Sequence, residues 1–130
     1  MMRVISIGVL FAGALLACAP PPSTFPGGMP NSNVITREDI AGVNATNAYD
    51  AITRLRPQFL NSHGKTTIYG SDTGYPKVYL NHQFYGDLQS LRNLDAHGIS
   101  EIHYYNGTEA STRFGFGNVS GAIEVLTEVK

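Results

Sequence analysis

The clearest hydrophobic pattern lies in the last third of the chain. Ile99 to Tyr105 is rich in β-branched and aromatic residues and reads as a strand. Asn106-Gly107 breaks that run, since both residues tolerate positive φ. Thr108 then suits the N-cap of a short helix with Glu109 in its first turn. The helix is expected to end near Phe114, because Gly115 and Gly117 follow. A glycine-rich connection leads to a second strand, Gly121 to Thr127. Alternation there puts Ile123, Val125, Thr127 and Val129 on one face and Glu124 and Glu128 on the other.

Upstream, Ile35 to Ile40 opens the folded part, with Thr36 capping a short helix and Asp39 as its capping-box partner. Thr46 is the expected cap of a second helix, Asn47 to Arg56. Its buried stripe is Ala48, Ala51, Ile52 and Leu55, and Pro57 stops it. Asn61 to Gly64 reads as a turn, Thr66 to Tyr69 as a strand, Gly70 to Tyr75 as a loop and Lys77 to Leu80 as another strand. Asn81 and His82 tolerate the positive φ of a turn, from which Phe84 and Tyr85 return. Asp87 can cap a helical turn carrying Leu88 and Leu91. The fold class expected is α+β: a small mixed sheet of about four strands with short helices on one face.

The N-terminus carries a different signal. Arg3 precedes an apolar run, Val4 to Leu16, too short for a comfortable membrane span, so residues 1–17 read as a signal peptide. Leu15-Leu16-Ala17-Cys18 looks like a bacterial lipobox, in which the cysteine thiol takes a diacylglyceryl group. Cys18 is the only cysteine, so no intramolecular disulfide can form. Two or three acyl chains would anchor the protein stably. Ala19 stands where some Gram-negative bacteria use Asp for inner-membrane retention, so outer-membrane sorting is expected. Five of the seven prolines fall in Ala19 to Val34, which marks residues 18–34 as a tether and residues 35–130 as the domain.

With 130 residues and a formal net charge of -1, the chain has no electrostatic footprint for nucleic acid. No H-E-x-x-H, G-x-S-x-G or P-loop sequence occurs, and no cofactor is expected. Glu101 and His103 point to one side of a strand. They could belong to a metal site or take part in a cross-strand polar pair. Tyr104 and Tyr105 point to opposite faces, and either could complete the core or serve an interface.

Taken in order, these pieces resemble the plug domain of TonB-dependent outer-membrane receptors, from about Val34 to Lys130. Plugs open with an I-T-x-E-D-I phrase, here Ile35 to Ile40, and continue with V-x-I-D-G, here Val78 to His82. They close with I-E-x-I-E-V, an R-G-P turn, Y-G-x-G and a final strand. Here Ile99, Glu101 and Ile102 stand in the first strand, only Gly107 of the turn is kept, and Phe114 to Gly117 stands for Y-G-x-G. The resemblance implies positive φ at Gly107. No barrel is expected within these residues, since it would need many strands of ~10 residues. The expected function is that of an outer-membrane-anchored, non-catalytic binding or assembly module. Its partner would be a barrel, another envelope protein or a small ligand. His82, Tyr85 and Tyr105 are the candidate contact residues. The competing expectation is an extracytoplasmic metal-dependent enzyme using Glu101 and His103.

Overall fold

The structure, a computed structural model, describes residues 32–64 and 73–128. The expected signal peptide, Cys18, most of the expected tether, the strand expected at Thr66 to Tyr69, and Val129 lie outside the described residues. The elements run β1 (Val34–Thr36), α1 (Arg37–Gly42), α2 (Ala48–Leu55), β2 (Lys77–Leu80), β3 (Gln83–Gly86), β4 (Ile99–Tyr105), α3 (Gly107–Phe114) and β5 (Ala122–Thr127). Short 3₁₀ turns stand at Pro57–Leu60, Leu88–Asn93 and Ala96–Gly98.

The sheet has five strands in the order β1-β4-β5-β2-β3, against the four expected. Two of the five were not named as strands from the sequence: β1, whose three residues precede or include the Thr36 cap and pair antiparallel with β4, and β3, the return from the Asn81-His82 turn. A three-residue edge strand has too little pattern of its own to be read; β4 recruits it. The β5–β2 pair is parallel and the remaining pairs are antiparallel, so the sheet is mixed.

Local chemistry starts and stops the helices. Thr36 and Asp39 form the expected capping box of α1. The other two caps sit elsewhere than the sequence suggests. Asn47, not Thr46, caps α2 by accepting from the Asp50 amide (2.9 Å). Asn106, not Thr108, caps α3 with Glu109 as its box partner. In both places an asparagine stands within two residues of the threonine expected, and asparagine is at least as good a cap. Pro57 ends α2 and begins the next 3₁₀ turn.

The helices cover both faces of the sheet, not one. On the first face Ile35, Ile102 and Val125 line up across β1, β4 and β5, with Ile123 beside Val78. Ile40 of α1, Ala48, Ala51 and Ile52 of α2, Phe59 and Leu91 close over them. Phe59 stacks on Tyr104 at 4.8 Å. Burying each large side chain here contributes about 1.5–3 kcal/mol. On the second face a smaller cluster of Tyr79, Ala122, Tyr105 and Phe114 packs under Ala110 of α3. Tyr104 thus serves the main core and Tyr105 the α3 side, as their alternation requires.

Two turns set the geometry around the second face. Asn81 and His82 have φ of 47° and 71°, the two-residue hairpin geometry that follows the sheet's twist. The Asn81 side chain ties this turn to β5, donating to the Thr127 hydroxyl (2.8 Å) and accepting from the Thr127 amide (3.0 Å). Gly107 is not at positive φ; it is helical, the first residue of α3. It is needed for proximity instead. A Cβ there would lie 2.9 Å from the Val119 carbonyl carbon and closer still to its oxygen.

Candidate functional site

The α3 side of the sheet holds an unexpected group. Glu124, at the middle of β5, is fully buried. Alternation places it on the same face as Glu128, opposite Ile123 and Val125. In the fold, α3 covers that face. Glu124 sits between Tyr79 of β2 and His103 of β4 in the register of the central strand.

A buried carboxylate needs partners to offset lost hydration. Oε2 accepts the Tyr105 hydroxyl at 3.0 Å and lies 3.4 Å from Arg113 Nε. Oε1 faces His82 Nδ1 at 2.5 Å and makes no hydrogen bond among the described residues. Each partner comes from a different element: Tyr105 from β4, Arg113 from the last turn of α3, His82 from the hairpin turn. Burial, and then the bond to Glu124 and its negative charge, push the Tyr105 phenol above the ordinary range. It therefore remains a protonated donor. Tyr104 is raised as well, by burial first and the charge of Glu109 second.

Aromatic rings continue this cluster into a row across the sheet. Phe84 meets Tyr79 edge-on at 5.8 Å, Tyr79 stacks on Phe114 at 3.9 Å, and Phe114 meets Tyr105 edge-on at 5.7 Å. His103 stacks beside Tyr105 at 6.1 Å. The Arg113 guanidinium lies over the Tyr105 ring at 5.1 Å and the Phe114 ring at 5.7 Å. Arg113 is thus held from below by a carboxylate and two rings while its side chain stays 45% exposed. Asn118, almost fully buried, supports the row by accepting the Tyr79 hydroxyl (2.9 Å) and donating to the Gly115 carbonyl (2.9 Å). A groove of about 650 Å³ opens beside it, with Asn33 and Val34 on one wall and Thr112 and Arg113 on the other.

Of the sequence candidates, His82 and Tyr105 converge on Glu124, and Tyr85 does not join them. It occupies the irregular step of the β2–β3 pairing, where Val78 pairs with Gly86 and Tyr79 with Phe84, and it is exposed. Glu101 and His103 bond each other (Oε2 to Nε2, 2.7 Å), a same-strand pair. Among the described residues no cluster of three or more His, Cys, Asp or Glu side chains could hold a metal ion. Glu124, Arg113 and Phe84 were missed by the sequence reading. One signal was present: Ala110 and Phe114, four residues apart on α3, form an apolar stripe that must cover some sheet face. That stripe implied that the Glu124 face of β5 was not open.

Chemically the arrangement is a fixed cation on an aromatic bed. Arg113 can offer its free N–H groups to a carboxylate or backbone carbonyl of a partner, with Phe84 supplying exposed apolar area nearby. No helix among the described residues is long and apolar enough to cross a membrane. Comparison with protein-family models, curated proteins and solved structures finds no match to this chain.

Proposed function

We propose that this chain is a bacterial lipoprotein, anchored to the outer membrane through acylated Cys18, whose domain works as a binding or assembly module for an envelope protein, a barrel foremost. The observation that carries the reading is the exposed edge of the aromatic row, with Phe84 63% exposed beside His82 and the preorganised Arg113. Aromatic residues and Arg are the types that dominate interface energetics, and an Arg already ordered loses less entropy on docking. The resemblance to receptor plugs supports the same reading, since those domains contact ligand and partner proteins.

The test uses the lipidated full chain. Mass spectrometry should find acyl groups on Cys18, and Cys18→Ser should leave the membrane fraction without loss of fold. Cross-linking in intact cells, followed by purification from solubilised outer membranes, should recover a barrel or another envelope protein. Phe84→Ala, which removes an exposed side chain, should fold normally and lose that partner. A stoichiometric metal with hydrolytic activity and no partner would overturn the reading in favour of an enzyme.

A further inference from the structure

The connection between α3 and β5 carries one ring that nothing in the fold uses. Phe116 is fully exposed, and Val119 beside it is 43% exposed. Phe116 stands between Gly115 (φ 90°) and Gly117 (φ 97°). Glycines at positive φ on both sides let the chain take a path there that other residues rarely adopt, and the ring is left fully in solvent. The base of this tip is not loose. Asn118 bonds back to the Gly115 carbonyl, and the Gly121 amide donates to the Asn118 carbonyl at 2.9 Å. The ring is thus carried outward on a braced loop.

The tip lies on the side where the chain enters the fold. Asn33 and Val34 form one wall of a groove whose other wall includes Thr108, Glu109 and Thr112 of α3. The same three residues line a second groove with Phe116 and Val119. Chain entry and exposed ring therefore flank one eight-residue helix, about 12 Å long. Ser32 is fourteen residues from Cys18, a span that reaches ~40 Å when extended. The Lys77 ammonium stands beside Gly117, about 3.4 Å from where a Cβ would be, and supplies a cation at the base of the tip.

We propose that this tip is a membrane contact: Phe116 and Val119 enter the headgroup boundary of the bilayer that holds the Cys18 acyl chains, with Lys77 facing lipid phosphate. The inference rests on the lipid-anchor reading above. One phenylalanine binds a bilayer weakly from solution. On an anchored domain the tether keeps the local concentration high, so one ring suffices to set orientation. A fully exposed ring can enter a fluid apolar layer, which needs no preformed pocket. The contact would turn the α3 side, with Arg113 and the aromatic row, toward the plane in which a barrel lies.

The chain has no tryptophan, so Phe116→Trp introduces a unique fluorophore. The lipidated Phe116→Trp protein is placed in phosphatidylethanolamine–phosphatidylglycerol vesicles containing lipids brominated near the headgroup end of the acyl chain. Its emission should shift to the blue and be quenched. Thr53→Trp, on the exposed side of α2 across the sheet, should be neither shifted nor quenched. Circular dichroism confirms that both variants fold. A lipidated Phe116→Trp protein whose indole is unquenched overturns the membrane contact alone, as does one whose emission shifts only when a partner protein is added. Equal quenching of the Phe116→Trp and Thr53→Trp proteins overturns it too, since no face is then preferred. A protein that mass spectrometry shows to lack acyl chains overturns the anchor and this inference together.

Discussion

Replacing Gly107 with alanine tests how the α3 turn is built. Gly107 is helical, so on backbone grounds alanine should gain about 0.5–1 kcal/mol. The surroundings forbid that gain. The new Cβ would meet the Val119 carbonyl inside the 3.0 Å below which real Cβ contacts essentially never fall. The obstacle is backbone, and the adjoining Asn118 is fixed by its bonds to Tyr79 and Gly115. The loop or the helix must shift by roughly 1 Å, and overpacking of this kind costs about 1–3 kcal/mol. Weakening the buried Tyr79–Asn118 bond adds about 1 kcal/mol. The net expectation is a loss of about 2–3 kcal/mol, a Tm lower by roughly 10–20 °C for a domain of this size. Gly107→Asn should lose as much, since asparagine tolerates positive φ but still carries a Cβ. Gly42→Ala is the control. It lies in α1 with nothing within 4 Å of the added carbon and should melt at or slightly above the parent. A Gly107→Ala melt equal to the parent would refute the close-approach argument. A tolerated asparagine with a damaging alanine would restore the positive-φ explanation.

Other expectations follow from the buried carboxylate and from one exposed cap. Arg113→Leu leaves Glu124 buried with only Tyr105 and His82, and should cost about 3 kcal/mol, the low end for breaking a buried pair because the guanidinium is half exposed. Glu124→Leu should be near neutral, because the groups it releases can rehydrate, and the double variant should recover most of the Arg113→Leu loss in urea titrations; simple additivity would show that the pair does not act as a unit. Asp95 accepts the His97 amide (2.9 Å) and contacts the His97 ring, and these hold its carboxyl below the ordinary carboxylate range. A depressed pKa contributes stability that is present above the unfolded-state value and lost as pH falls through the folded-state one. Asp95→Ala should therefore lower the Tm at pH 7, and the gap should narrow as the pH falls below the ordinary aspartate range; a gap constant with pH would contradict the shift.

Much of the fold was written in local pattern. The run of β-branched and aromatic residues fixed β4, and period two separated Tyr104 from Tyr105. Asparagine and histidine at 81 and 82 announced a positive-φ turn, and Thr36 with Asp39 announced a capped helix. Each of these depends on neighbours within a few residues, so sequence alone decides it.

Tertiary structure decided the rest, because the deciding contacts join distant positions. β1 is a strand only because β4, more than sixty residues on, offers it an edge. Gly107 is required not by its own torsions but by Val119, which the returning loop brings against it. Glu124 alternates like a surface residue; α3 folds over its face and, with the hairpin turn and β4, turns it into the buried centre of the candidate site. A residue's polarity sets the cost of burying it, but only packing of the elements determines whether it is buried and which partners offset that cost.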